Sequence, residues 1–274
     1  MRRANSNRAK WFLADTAKLR HEVQLICFPH TGGCASTYRE WLADLATAMD
    51  VLPVQLPGRE TRIREPFATD MRRLVDEFAD LLQRSGFHRI ALFGHSLGAV
   101  IALKVCQAIE RAGTEVAHLF VSGHKAPPAL PVRMHHRPGA PFSVSPDASD
   151  GLIIESLAGL DMDMTDWLVS NDLREVFMPV LRADMRLLAT AEIGGELVDA
   201  PVTALGGRED PLLLDYDLGE WARVTRTHCT VHQLPGRHFY LGSQGPAVAR
   251  LVRDRLGEEL GKRGEPGAPT QQGD

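Results

Sequence analysis

The stretch RIALFGHSLGAVIAL, residues 89–103, decides the fold of this chain. Its first part, RIALF, is apolar and has the length of a buried strand, whereas the part after Gly98 is apolar over a helical length. Gly94 and Gly98 flank Ser96, and glycine permits turns and close backbone approaches that residues with a Cβ cannot adopt. The stretch therefore predicts a strand, a sharp turn that exposes the Ser96 hydroxyl, and a helix.

Apolar runs of strand length recur along the chain and alternate with segments of helical spacing. The runs are Val23–Phe28, Val51–Gln55, Ile90–Phe93, Val116–Ser122, Val202–Leu205 and Thr230–Leu234. The helical segments are Tyr38–Met49, Met71–Ser85, Leu97–Ala112, Tyr216–Val224 and Pro246–Leu256. Continuous apolar strands that alternate with helices are typical of a parallel sheet covered on both faces. The sequence therefore predicts a mostly parallel central sheet flanked by helices.

This alternation is interrupted between about residues 126 and 200. A Pro-rich stretch is followed there by helical character from Pro146 to about Ala191, which we interpret as a helical lid over the candidate site. A helical excursion packed on the sheet edge is the alternative. We expect residues 1–20 to form an N-terminal extension, residues 21–256 to form one domain that includes the lid, and residues 257–274 to form a disordered tail.

Ser96 is the candidate nucleophile, because G-x-S-x-G at a strand-to-helix turn is typical of the α/β-hydrolase fold. A serine hydroxyl needs a base within hydrogen-bond reach and an acid that orients this base. In this fold, both come from later loops, in the order Ser, Asp or Glu, His. The loops after the last two predicted strands contain Asp210 and His238. We predict these two residues as acid and base, with Glu209 as the rival acid.

Acyl transfer also requires hydrogen-bond donors for the oxyanion. The first predicted donor is the backbone N–H of Leu97, directly after the candidate nucleophile. The second should come from the loop after the first strand, FPHTGG at residues 28–33, where Thr31 is our prediction and Gly32 the alternative. His30 lies in the same loop but precedes Ser96, against the expected order of the base.

Composition and charge argue against several other classes of protein. The chain has 31 Lys and Arg against 35 Asp and Glu, a formal net charge of −4, and so lacks the basic field that nucleic acids or anionic membranes attract. The pair His135-His136 has no Cys, Asp or Glu at metal-ligand spacing, so we expect no metal. No apolar run suits a signal peptide or a membrane span, and we expect a cytoplasmic monomer. The cysteines, expected to be reduced, are Cys27, Cys34, Cys106 and Cys229.

Several segments together resemble a stand-alone type II thioesterase of non-ribosomal peptide and polyketide synthetase systems. In chain order they are LICFPHTGGCASTYREW, VLPVQLPGRETR, ALFGHSLGAVIAL, PVTALGGREDP and LPGRHFYL. Two segments are not required by general hydrolase chemistry and make the resemblance specific: QLPGR at residues 55–59, and VLRADMRLLAT at residues 180–190, which resembles a motif near the end of the family's lid.

The resemblance implies an activity: hydrolysis of acyl thioesters from the phosphopantetheine arm of carrier proteins, which clears stalled or wrongly primed acyl units. The family's catalytic residues fall on Ser96, Asp210 and His238. The implied partners are acyl or peptidyl carrier proteins, and no cofactor is implied. Thioesterase domains built into synthetases often take their acid from the strand after the nucleophile helix. Here that strand ends in SGHK, residues 122–125, without a carboxylate, so the later loop must supply the acid.

One departure and two alternatives accompany this interpretation. Arg237 precedes the candidate base, where relatives usually have a small or acidic residue. A general carboxylesterase or lipase-like hydrolase could use the same three side chains. A non-catalytic relative that only binds carrier proteins is the second alternative, although it would not need all three residues.

Overall fold

A six-stranded parallel sheet forms the centre of the computed structural model, which describes residues 10–127, 144–160, 170–192 and 196–264. The strands are β1 (Val23–Phe28), β2 (Asp50–Pro53), β3 (Arg89–His95), β4 (Val116–Ser122), β5 (Val202–Gly207) and β6 (Cys229–Leu234). Their order is β2-β1-β3-β4-β5-β6, and every neighbouring pair is parallel. The predicted mostly parallel sheet is therefore confirmed.

Helices cover both faces of this sheet. The α-helices of the described residues are α1 (Arg39–Asp44), α2 (Met71–Gln83), α3 (Leu97–Arg111), α4 (Asp150–Ala158), α5 (Asn171–Ala189) and α6 (Leu241–Gly264). Short 3-10 helices span Ala35–Tyr38, Glu60–Arg62 and Leu218–Val224. Successive strand residues point to opposite faces, so Ile26 packs with α2 and α3 in one core, whereas Leu25 packs with α1 and α6 in the other.

Ordered structure extends beyond the predicted domain bounds at both ends. At the amino end, Trp11 and Phe12 are only 3% and 2% exposed, and Phe12 forms an antiparallel bridge with Val54. This part of the predicted extension belongs to the core, because its aromatic rings fill the edge beside β2. At the other end, α6 continues to Gly264, since the first residues of the predicted tail include Glu, Leu and Lys, which favour helix. Residues 265–274 lie outside the described residues.

The predicted lid region contains two of these helices. We use "lid segment" for residues 144–160 and 170–192, which include α4 and α5. The segment has a small apolar cluster of its own, formed by Val144, Ile153, Leu157, Met178, Leu181 and Met185, with Phe177 and Phe239 packed against it. Residues 128–143 of the Pro-rich stretch, with His135 and His136, lie outside the described residues. Among the described helices, none has the length and apolar character needed to cross a bilayer.

Candidate active site

The turn between β3 and α3 carries Ser96. Ser96 has φ +55° and ψ −118°, a conformation that side chains with a Cβ rarely adopt. Its backbone N–H donates to the carbonyl oxygen of Ser122 on β4 at 2.7 Å, which anchors the turn to the neighbouring strand. Strained backbone of this kind persists only where the surrounding structure holds it, and it concentrates at functional sites. The turn therefore has the form of a nucleophile elbow.

The two glycines of this turn are required by close packing. A Cβ built on Gly94 would lie 2.0 Å from the carbonyl oxygen of Gly98, and one built on Gly98 would lie 2.2 Å from the carbonyl oxygen of Phe28. Both contacts are with backbone atoms, which cannot move aside as a flexible side chain can. The close approach of α3 to β1 and β3 thus requires residues without a side chain at positions 94 and 98.

We expect Gly98→Ala to destabilise the protein by about 3 kcal/mol, because overpacking against the β1 backbone outweighs the gain in helix propensity. Thermal unfolding and soluble yield measure the effect. Gly151→Ala in α4 is the matched control, since its Cβ would have no neighbour within 4 Å. A Gly98→Ala protein that unfolds at the native temperature would contradict this account of the turn.

The three predicted side chains Ser96, Asp210 and His238 meet at the carboxyl edge of the sheet. His238 Nε2 lies 3.1 Å from Ser96 Oγ, and His238 Nδ1 lies 2.9 Å from Asp210 Oδ2. The side chains are 7%, 0% and 1% exposed, respectively. They converge because β3, β5 and β6 run parallel, so that the loops after these strands lie on one edge of the sheet.

The acid candidates Asp210 and Glu209 have different contacts. Asp210 Oδ1 accepts a hydrogen bond from the Leu212 N–H at 2.9 Å, and Oδ2 faces His238. Glu209 is exposed, and its Oε2 accepts from the Gly236 N–H at 2.6 Å. The geometry thus places Asp210 in contact with the imidazole of His238, whereas Glu209 stabilises the turn at Gly236.

These contacts select one tautomer of His238. An ionised carboxylate only accepts hydrogen bonds, so Nδ1 carries the proton that faces Asp210. The lone pair of Nε2 then points to the hydroxyl of Ser96. In this arrangement, the imidazole can remove the hydroxyl proton as a general base.

The candidate oxyanion donors are backbone amides of two segments, the start of α3 and the loop after β1. The Leu97 N–H is in the first turn of α3, where amides lack intrahelical acceptors. The alternative donor, Gly32, is already engaged, because its N–H donates to Asp184 Oδ2 at 2.8 Å. Thr31 is therefore the better candidate in this loop. A developing negative charge would also benefit from the positive end of the α3 dipole.

A buried polar chain behind His238 was missed in the sequence. His95 Nδ1 lies 2.9 Å from Ser122 Oγ, which lies 2.6 Å from the Tyr240 hydroxyl. The ring centroids of His95 and His238 are 5.2 Å apart. Burial, and then charge at His238, lower the pKa of His95 well below its ordinary value. The only sequence signal was the position of His95 inside G-x-S-x-G, which does not reveal its partners.

Two half-buried histidines beside the site predict a loss of stability in acid. Burial above all lowers the pKa of His30 to about 4, and burial likewise lowers the pKa of His124 to about 4. Unfolded histidines have a pKa of about 6.5. Between these values, the unfolded chain binds more protons, so stability is full above about pH 6.5 and falls as the pH drops towards 4.

Chemical denaturation between pH 7 and 4.5 measures this dependence. Each histidine adds a slope of at most about 1.4 kcal/mol per pH unit. We expect a shallower decline for His30→Gln, since glutamine takes up no proton. Parallel declines of the variant and the native protein would contradict the lowered pKa of this half-buried imidazole.

The lid segment touches the loop that carries His238. Phe239 packs against the apolar cluster of the lid segment, and Arg237 Nη2 donates to the carbonyl oxygen of Gly159 at 2.9 Å. Arg237 thus connects the loop to the end of α4. Within the described residues, no group of three or more His, Cys, Asp or Glu side chains could hold a metal ion.

Known proteins share both sequence and fold with this chain. The family model described as "Thioesterase domain" matches residues 23–256. The chain is 29% identical over 269 residues to a protein named linear gramicidin dehydrogenase LgrE from Brevibacillus parabrevis, covering 96% of this chain and 99% of the relative. It is 31% identical over 255 residues to thioesterase PikA5 from Streptomyces venezuelae, covering 91% and 85%.

A solved structure agrees with these relatives. The type II thioesterase BorB from the borrelidin biosynthetic cluster superposes with a TM-score of 0.73 at 29% identity, covering 87% of this chain and 97% of that one. The fold is thus that of the α/β-hydrolases, as the turn and the strand order predict. Because the family model spans most of the chain and the whole sheet, the chain belongs to the family of thioesterase domains.

Proposed function

We propose that the chain is a type II, editing thioesterase of polyketide or non-ribosomal peptide biosynthesis. Its substrate would be an acyl group held as a thioester on the phosphopantetheine arm of an acyl or peptidyl carrier protein. The observation that carries the proposal is the contact of Ser96, His238 and Asp210 in a chain of the thioesterase family. The name of PikA5 and the description of BorB as a type II thioesterase support it.

The proposed reaction has two acyl-transfer steps. His238 Nε2 takes the proton of Ser96, whose Oγ attacks the thioester carbonyl carbon, and the amides of Leu97 and Thr31 stabilise the oxyanion. The C–S bond then breaks, and the leaving thiolate receives the proton from His238. A thiol with a pKa of about 8.5 leaves more readily than an alcohol. Asp210 holds the imidazole in the required tautomer throughout.

The second step regenerates the enzyme. Water gives a proton to His238 as its oxygen attacks the acyl-serine carbonyl, and the bond to Ser96 Oγ breaks as this oxygen regains a proton. The products are a carboxylic acid and the free thiol of the carrier arm. No cofactor takes part in this scheme. The cytoplasmic location and the monomeric state remain predictions from the sequence.

We further propose that the lid segment borders the acyl-binding side of the site. Phe239, directly after His238, packs against the cluster that includes Leu181, and so does Phe177. Gly32 of the loop after β1 also faces this cluster, since a Cβ built on it would lie 2.8 Å from the Leu181 side chain. Apolar side chains from α5 therefore contact the residues that directly follow the base and the candidate oxyanion donor, near the point where an acyl chain would be attached.

Comparison of carrier-bound and free substrates tests this function. One acyl group is loaded onto a carrier protein, and the same group is offered as an N-acetylcysteamine thioester and as a p-nitrophenyl ester. We expect the carrier thioester to have the highest kcat/KM, by at least about tenfold, because contacts remote from the reacting bond contribute binding energy. Faster hydrolysis of the oxygen ester would instead indicate a general carboxylesterase or lipase-like enzyme.

Two other outcomes concern different classes of protein. A chain that binds the carrier but hydrolyses none of the three substrates, and whose Ser96 resists a fluorophosphonate probe, would be a non-catalytic carrier-binding relative. The name of LgrE raises dehydrogenase activity as a further possibility. However, the chain contains no G-x-G-x-x-G sequence of the kind that binds dinucleotides after a strand.

A further inference from the structure

Two sequence segments that the proposed reaction does not use meet behind the active site. Arg59, in the QLPGR segment, and Asp184, in the VLRADMRLLAT segment on α5, form a two-armed ion pair. The Nη2–Oδ1 distance is 2.6 Å and the Nη1–Oδ2 distance is 3.0 Å. The side chains are 4% and 0% exposed. Burial of a charged pair costs free energy through desolvation, and further hydrogen bonds to both partners are needed to offset this cost. The other hydrogen bonds of Arg59 and Asp184 therefore matter.

Those other contacts lie in the loop after β1. Asp184 Oδ2 accepts the N–H of Gly32 at 2.8 Å, and Arg59 Nη1 donates to the carbonyl oxygen of Gly33 at 2.8 Å. Two successive loop residues are therefore held from the same side, one through its amide and the other through its carbonyl. Thr31, the candidate oxyanion donor, is the residue directly before them.

Glu60 holds the next part of the same loop. Its carboxylate accepts the N–H groups of Ala35 at 3.0 Å and Ser36 at 3.1 Å, at the start of the 3-10 helix Ala35–Tyr38. Glu60 has φ +48°, a conformation that costs free energy for a residue with a Cβ. This conformation lets adjacent side chains, Arg59 and Glu60, contact different parts of the loop.

We propose that Arg59 and Asp184, assisted by Glu60, are positioning residues that align the Thr31 amide with the developing oxyanion. The proposal rests on the proposed acyl transfer at Ser96. Because Asp184 belongs to α5, the alignment of this donor depends on the lid segment as well as on the sheet. Leu181, one helical turn before Asp184, packs on Gly32 and holds the same interface from the apolar side.

The expected effect is on the chemical step rather than on substrate binding. Asp184→Asn keeps the shape of the side chain but weakens its bonds to Arg59 and Gly32. A displaced donor is expected to lower kcat by about 10- to 100-fold, with KM within about twofold, because ground-state binding of the acyl chain is unchanged. The pH profile of kcat should keep its shape, since His238 and Asp210 are untouched.

Transition-state binding gives a second readout. A trifluoromethyl ketone forms a tetrahedral adduct with the serine and places its oxyanion between the donors, so its inhibition constant should rise in parallel with the loss of kcat/KM. The rate of Ser96 phosphonylation by a fluorophosphonate should also fall. The values of kcat and of the phosphonylation rate are expressed per folded molecule. A matched control is Asp150→Asn, which removes the charge opposite Arg182 on α5 without touching the loop and should retain native kcat.

Other results would overturn the proposal. If Asp184→Asn lowers only the unfolding temperature, the pair merely holds the lid segment to the core. The conclusion is the same if Asp150→Asn lowers kcat as much as Asp184→Asn does. Should Asp184→Asn fail to fold, Arg59→Lys takes its place, because lysine keeps the charge but cannot bridge Asp184 and Gly33 together, and native kcat in that variant overturns the proposal. Native protein that does not react with the fluorophosphonate would instead refute the proposed acyl transfer.

Discussion

Ser96→Ala is expected to lower kcat on an acyl thioester by about 10⁴-fold or more, the range seen when a serine hydrolase loses its nucleophile. The side chain contributes the attacking oxygen, and its Oγ is the atom that lies 3.1 Å from His238 Nε2. Alanine leaves the strained backbone turn intact but offers no atom that can form the acyl intermediate. Any residual hydrolysis would come from water acting in the remaining oxyanion hole.

Intact-protein mass spectrometry during turnover detects the acyl intermediate directly. Native protein mixed with a slow acyl thioester should gain the mass of one acyl group, and Ser96→Ala should gain none. Ser243→Ala, in α6, is the control and should acylate as the native protein does. Circular dichroism shows whether each variant is folded. A folded Ser96→Ala protein with more than about 1% of native kcat would be inconsistent with the serine mechanism.

Asp210→Asn is expected to reduce kcat by about 10⁴-fold, although it changes only one atom. An asparagine amide can donate to His238 Nδ1, and the imidazole would then carry its proton on Nε2. That N–H would face Ser96 Oγ, so the imidazole could no longer accept the hydroxyl proton. The hydrogen bond from Leu212 to the side-chain oxygen would remain, which favours retention of the loop conformation.

Glu209→Gln is the matched control for this substitution. It changes the neighbouring carboxylate in the same loop, and the amide oxygen of glutamine can still accept from the Gly236 N–H. We expect kcat within about threefold of the native value, since solvent screens the exposed carboxylate of Glu209 from His238. Both variants are assayed with one acyl thioester, after the folded fraction has been determined. The reverse ranking would identify Glu209 as the acid.

Much of the site could be predicted because its parts are encoded locally. A strand, two glycines and a helix around Ser96 are visible in one short stretch, and each loop after β5 and β6 shows its polar residues directly. Parallel strands then bring these loops to one edge, whatever the details of packing. The choice between Asp210 and Glu209 depends on the tertiary structure, because the sequence does not show in which directions two adjacent loop side chains point.

The chain by itself determined the alternation of strands and helices, the sharp turn at Ser96 and the order of the candidate triad, since these depend on periodicity and on residues close together. Only the tertiary structure decided that Trp11 belongs to the core, that Gly32 donates to Asp184, and that Arg59 and Asp184 form a pair. Such contacts join residues far apart in the chain. They form because a buried charge or aromatic ring needs a partner that only folding brings within reach.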